Sequence, residues 1–181
     1  VMIVITRLLP DSNYGRQLAL NTALDKDASL PVGTDVLHPT TSARLVTETP
    51  NYNGKLLLVG AAKAALANHT VLKNIVVNVC RLFIKSFVKV FNAGVERGKY
   101  LAGSRGYFQL PTDSDALPDL VAEDSVKVWA HRIVDGDVQR MLVAGELAMV
   151  NPDATEVDAK LNIMEPLLDD QSNLIDDLKN K

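Results

Sequence analysis

Residues 70–98 read TVLKNIVVNVCRLFIKSFVKVFNAGVERG, and two interleaved series run through them. Leu72, Val76, Val79, Phe83, Phe87 and Val90 follow one another at steps of four and three, the spacing that keeps side chains on one side of an α-helix. Asn74, Asn78, Arg81, Lys85, Lys89, Asn92 and Glu96 follow at similar steps, displaced around the axis. The spacing predicts a long helix over 70–97 that buries the first series and turns the second, largely basic series outward. It points to an architecture and names no reaction.

Working outward, the composition supports that architecture. The chain has 181 residues, 47 % hydrophobic and 23 % charged, enough for one sizeable core or two small ones. Only 5 % are aromatic, so Leu, Val, Ile and Ala must fill the interior, as they do in helix-on-helix packing. A single cysteine, Cys80, excludes an internal disulfide and sits where a small buried hydrophobe is expected. The longest apolar stretch, Ile75 to Phe91, carries Arg81, Lys85 and Lys89, each costly in lipid, so no transmembrane segment is expected.

Upstream, residues 1–10 are apolar and β-branched, the composition of a short strand or extended segment. No signal peptide is visible, and the opening without methionine reads as a trimmed end; with a C-terminus that stops inside a helical pattern, a longer native chain is expected. A short helix begins at Asp11 or Ser12 and carries Leu18, Leu20 and Leu24. His38-Pro39-Thr40-Thr41-Ser42 offers hydroxyls for another helix start. Pro50 and Asn51-Tyr52-Asn53-Gly54 are expected to interrupt it before a helix over 55–67, with a hairpin across 51–54 as the alternative. Asn68-His69-Thr70 separates that helix from the next.

Downstream, residues 98–118 carry glycines, two prolines and acidic turn residues and form the longest loop, a possible sub-boundary in what otherwise reads as one helical domain over 1–181. Tyr100, Leu101, Tyr107 and Phe108 make this loop apolar enough to pack over the bundle end. A helix over 119–144 follows, with Ala122, Val126, Trp129 and Ile133 as its apolar line, Gly136 as a weak point and Gly145 as a stop. Asn151-Pro152-Asp153 supplies a cap, a proline for the first helical position and an early carboxylate for a last helix over 152–180, which Pro166 is expected to kink. Val157, Leu161, Met164, Leu168, Ile175 and Leu178 form its apolar line. The fold class is therefore all-α, a four- to five-helix up-down-type bundle with short irregular or β elements at the N-terminus.

Charge is segregated along the chain. Residues 68–110 carry seven cations against one anion, and residues 111–181 carry six against sixteen, so a basic segment of net +6 precedes an acidic one of net −10. Proximity of the two, within one molecule or between copies, is the simplest consequence.

Motifs for chemistry are missing. His38, His69 and His131 lack metal-ligand spacing, and 169–173, DDQSN, has Leu174 where a calcium loop needs glycine and no Glu at the twelfth position. Gly94 to Tyr100 follows a helix and lacks the spacing of a phosphate loop, while RGYF at 105–108 is only part of an RNA-recognition strand. Asn68-His69-Thr70 fits the glycosylation triplet with nothing else pointing to a secretory setting. No nucleophile elbow is present; Asp135 and Asp137 are the pair of carboxylates that an acid–base enzyme would use. No catalytic residue, metal site or cofactor is assigned.

Two segments, GVERGKYLAGSRGYFQLPTDSDALPDL and VKVWAHRIVDGDVQRML followed by NPDATEVDAKL, resemble a group of uncharacterised bacterial proteins found chiefly in Bacteroidetes-type genomes. The resemblance covers roughly residues 70–165 and rests on a tryptophan-bearing helix, here with Trp129, followed by a Pro-Asp helix start at Pro152-Asp153. It implies a bundle of paired helices, sometimes continued by a β-sandwich domain, with no associated activity and no functional residue to carry over.

The function expected from these readings is non-enzymatic: a structural, scaffold or protein-interaction bundle that meets a protein partner or further copies of itself. The alternative is a module for an anionic partner, nucleic acid or lipid headgroup, contacted through Arg81, Lys85 and Lys89. The downstream carboxylates weigh against nucleic acid, since they can neutralise that stripe internally. An enzyme built on carboxylates near Asp135 is a distant third.

Overall fold

A computed structural model describes residues 12–31 and 38–180 of the chain. It is an all-α bundle: α1 spans Asn13–Ala28, α2 Pro39–Glu96, α3 Glu123–Ala144 and α4 Ala154–Lys179, with a 3-10 helix over Ala102–Phe108. Among the described residues there is no strand; the expected β or irregular element over 1–10 lies outside them. The chain divides into two compact units, one comprising described residues up to 64 together with 177–180, the other residues 65–176.

In the first unit, Ser12 caps α1 by accepting from the Gly15 amide at 3.0 Å, as its position before an apolar-periodic run suggests. The expected interruption at 50–54 is not there: Pro50 and Asn51 to Gly54 all lie inside α2. Proline removes one backbone donor and glycine adds backbone entropy, but tertiary contacts outweigh them here. Asn53 Nδ2 donates to Asn21 Oδ1 of α1 at 3.1 Å, and Ser42 donates to Asp27. Asn53, one of the residues that favour a turn, is thus used as a tie to α1.

The same holds at the second expected break, 68–70, in the second unit. Thr70 Oγ1 donates to the Leu66 carbonyl at 2.8 Å and accepts from Gln171 Nε2 at 3.3 Å, while His69 Nε2 donates to the Leu167 carbonyl at 2.7 Å. The His69 and Thr70 side chains both serve α2 or its packing on α4, and the helix runs on.

The second unit holds the core: residues 65–96 of α2, α3, α4 and the connection 97–122. Val77, Cys80, Ile84, Phe87, Val88 and Phe91 of α2 pack with Val126, Ala130 and Ile133 of α3 and Val157, Leu161 and Met164 of α4. The buried face of α2 therefore follows 73, 77, 80, 84, 87, 91. It is turned by about a quarter of a circle from the expected Leu72 to Val90 series, since adjacent residues lie 100° apart. Of that series only Phe87 is buried, while Leu72 and Val90 are exposed. The reason is that α2 carries apolar residues on more than one side, and periodicity alone does not choose between them.

Helix directions follow from paired contacts. Lys73 meets Glu123 at one end and Arg140 lies 5.9 Å from the Phe91 ring at the other, so α2 and α3 run parallel, joined by the long connection. Lys160 over the Phe83 ring at 5.1 Å and Gln171 on Thr70 set α4 antiparallel to α2. Helix α3 starts at Glu123 and ends at Gly145, whose φ of 63° is the left-handed stop that glycine supplies. Its buried line is Val126, Ala130, Ile133, Asp137 and Arg140, with Ala122 preceding the helix and Trp129 only partly covered. The apolar line expected for α4 is buried at Val157, Leu161 and Met164. Its cap, however, is Asp153 rather than Asn151: the Asp153 carboxylate accepts from the Glu156 amide at 2.8 Å, and the Glu156 carboxylate accepts from the Asp153 amide at 3.0 Å. Pro152 sits before the helix, whose first residue is Ala154.

Two glycines let the connection pack. A Cβ on Gly94 would stand 2.5 Å from the Tyr100 ring, and one on Gly136 would stand 2.6 Å from both the Phe108 ring and the Tyr107 carbonyl oxygen. Gly136, read from sequence as a weak point, is where the connection seats itself on α3. Phe108 is fully buried against Phe87 and Phe91, both edge-on, with ring centroids 5.5 and 4.9 Å apart. Tyr100 is buried as well, while Leu101 stays exposed.

Candidate functional site

Residues 71–93 of α2 present two surfaces besides the core face. Opposite the core stand Val71, Leu72, Ile75 and Leu82, which are 62, 50, 57 and 65 % exposed. Leu72, Ile75, Val79, Leu82 and Ser86 advance by three, four, three and four residues, the spacing of a helix–helix seam. Beside this seam lie the cations singled out from sequence.

The structure separates those cations. Arg81 Nε donates to the Leu120 carbonyl, Nη2 to the Val121 carbonyl and Nη1 to Asn78 Oδ1, each at 2.7 Å. Its guanidinium fork is thereby committed to clamping the residues that lead into α3, a role for which its fixed planar donors suit it. Lys85 and Lys89 are exposed and make no ion pair among the described residues. Lys73, by contrast, is buried and paired with Glu123 at 2.5 Å. The charge segregation along the chain is thus partly resolved by contact: Lys73 finds a downstream carboxylate, Arg81 finds neutral carbonyls, and two lysines face outward.

At the far end of the bundle a buried ionic cluster fixes the connection. Arg140, fully buried, donates to Asp137 Oδ1 through Nη2 at 2.6 Å and to Glu146 Oε2 through Nη1 at 3.0 Å. Glu146 Oε1 also accepts from the Leu101 amide and the Ser104 hydroxyl, both at 2.7 Å. Burial works against the charged form of Glu146, but these donors outweigh it and hold its carboxyl below the ordinary range. Burial likewise opposes the charge on Arg140, and its two carboxylate partners more than restore it. Arg105 repeats the device nearby, with Nε on Asn92 Oδ1 at 3.3 Å, Nη1 on the Thr112 carbonyl at 3.3 Å and Nη2 on Asp115. Sequence reading missed both arginines, because a buried arginine looks like a surface one until its carboxylates are located.

Asp135 is exposed while Asp137 is buried on Arg140, so the two do not converge. A cleft of about 210 Å³ is lined by Val134, Asp137, Met141, Met149, Asp153 and Asp158 among others. Each of its carboxylates is engaged: Asp137 by Arg140, Asp153 by the Thr155 hydroxyl and the Glu156 amide, Asp158 by Asn162. In the first unit a more open cleft of about 600 Å³ is lined by Leu20, Glu48, Asn51, Tyr52 and Lys55 among others. Among the described residues no cluster of three or more His, Cys, Asp or Glu could hold a metal ion. Likewise, no described helix is long and apolar enough to cross a membrane.

Comparison with family models, with curated proteins and with solved structures finds no match for this chain. The surface has to be read from its own geometry.

Proposed function

We propose that this protein is a non-enzymatic interaction or scaffold bundle whose working surface is the outward seam of α2. One observation carries the reading: Leu72, Ile75 and Leu82, at helix-seam spacing, lie exposed on the side of α2 turned away from the face that already forms the core. Scattered exposed apolar residues are ordinary, but a row of them along a rigid helix is a surface suited to another protein. The polar groups support the reading, because the buried Arg105 and Arg140 and their carboxylate partners hold the connection in place.

The test is a photo-crosslinking residue in place of Leu82, used in an extract of the native source. Protein adducts are expected there, and fewer from the same residue at Val128, which is exposed on α3. Absence of protein adducts at position 82 would remove the reading.

Lys85 and Lys89, exposed and without an ion pair among the described residues, favour a second reading, a module for an anionic partner, now without Arg81. It requires retention on heparin at low salt that is lost when both lysines become Gln.

A further inference from the structure

We infer that the occupant of the α2 seam is a second copy of this chain, whose α4 lies antiparallel along it. This rests on the interaction reading above.

The first argument is charge. The cations beside the seam, Lys85 and Lys89, are exposed and make no ion pair among the described residues, and two α2 helices laid on one another gain no opposite charge from residues 71–95, which hold no Asp or Glu. The outward side of α4 is complementary. Glu156, Ile163 and Asp170 recur at intervals of seven, all three are exposed, and Ile163 is 52 % exposed. Glu156 is a charge that Lys85 and Lys89, at one end of the apolar seam, can take, and Ile163 is an apolar residue that the seam beside them can take.

The second argument is register. Within one copy α4 is antiparallel to α2, with Lys160 level with Phe83 and Gln171 level with Thr70. A two-fold axis parallel to these helices leaves every height unchanged while it exchanges the helices. The α4 of the second copy therefore lies antiparallel on the α2 seam of the first, at the heights that its own contacts set. Helical rise then puts Glu156 level with Lys85 and Lys89, and Ile163 level with Val79 and Leu82. Charge meets charge and the apolar anchor meets the apolar seam, with no sliding.

The third argument is extent. One helix-on-helix seam is small beside the roughly 1,600 Å² of a standard stable interface. Because the pairing is isologous, the α2–α4 contact is made twice, and the interface doubles.

The purified chain should show a monomer–dimer equilibrium in analytical ultracentrifugation from low micromolar to near-millimolar concentration, weakening as salt rises. Leu82→Asp and Ile163→Asp should each give a monomer with unchanged helicity, both sites being more than half exposed, while Val128→Asp leaves the dimer intact. Lys85→Glu with Lys89→Glu should weaken association about tenfold or more, and Glu156→Lys added to that pair should recover part of the loss. A photo-crosslinker at position 82 should mark the α4 of the other copy. A chain that stays monomeric at every concentration, or a dimer that survives Leu82→Asp, overturns the inference. If the chain is monomeric but the same crosslinker captures a different protein, the interaction reading stands and the second copy is the wrong occupant. If position 82 captures nothing, both fall.

Discussion

Arg140 Nη1 donates to Glu146 Oε2 at 3.0 Å across the left-handed turn at Gly145, and the same guanidinium lies 4.7 Å from the centre of the Tyr100 ring. One buried cation thus ties the end of α3 to the segment before α4 and to the start of the 97–122 connection. Removing it strands Asp137 and Glu146 in a region with little water. Arg140→Met is expected to cost about 3–5 kcal/mol in chemical denaturation, the usual penalty for orphaning a buried charge. The triple variant Arg140→Met, Asp137→Asn, Glu146→Gln should cost less than Arg140→Met alone, because it leaves no unpaired ion.

Acid should loosen the same corner. The Glu146 carboxyl is held below its ordinary value of 4.5 in the folded protein. Its contribution to stability is therefore fully present above that value and is lost as pH falls through the lower, folded-state value. Asp153 and Glu165 are lowered too, Asp153 by the Thr155 hydroxyl and the Glu156 amide, Glu165 by Lys127 and His131, so they act in the same direction. Thermal melts should hold from neutral pH down to about 5 and fall steeply below it. In Glu146→Gln the fall should be shallower, and an unchanged slope would remove Glu146 from this account.

Gly136→Ala tests packing against propensity. Alanine in mid-helix is favoured over glycine by about 1 kcal/mol. Here the new methyl group would meet the Tyr107 carbonyl oxygen at 2.6 Å, a backbone atom that cannot swing aside. The substitution should destabilise by about 1–3 kcal/mol, whereas Gly60→Ala, with nothing within 4 Å, should stabilise by up to about 1 kcal/mol. Paired melting curves settle the sign.

Cys80 is fully buried, and burial pushes its thiol up to about 11. It should resist thiol reagents at neutral pH in the folded protein and react at once in denaturant. Rapid labelling of the native chain would contradict the packing of α2 described above.

Arg81 and Lys85 should behave differently despite their common stripe. Arg81→Met strips donors from two carbonyls before α3 and should cost about 1–3 kcal/mol, because its hydrogen bonds are charge-assisted. Lys85→Gln should leave the melting temperature within error.

Much of the fold was legible without coordinates. The all-α class, the start of α1, the stop of α3 at Gly145 and the first half of the α4 apolar line, Val157, Leu161 and Met164, follow from spacing and capping chemistry, whereas Ile175 further along that line is exposed. The breaks expected at 50–54 and 68–70 are absent because polar side chains there take other partners: Asn53 donates to Asn21, His69 to the Leu167 carbonyl, and Thr70 donates to the Leu66 carbonyl one turn back and accepts from Gln171. Asp153 replaces Asn151 as cap because its reciprocal bond with Glu156 fixes the helix start there.

The candidate surface was half legible. Lys85 and Lys89 could be placed on a helix face beside an apolar row, but Arg81 could not be removed from their company until Leu120 and Val121 were seen beneath it.

What the sequence determined by itself is local: which residues favour helix, and that cations and anions occupy different parts of the chain. Tertiary structure decided which of two apolar sides of α2 is core and which is surface. Helical periodicity fixes angles between side chains and leaves the rotation of the helix against its neighbours free. That rotation is set by Phe108 seating between Phe87 and Phe91, by Gly94 and Gly136 admitting the connection, and by Arg81 and Arg140 anchoring its ends. These contacts leave Leu72, Ile75 and Leu82 facing outward.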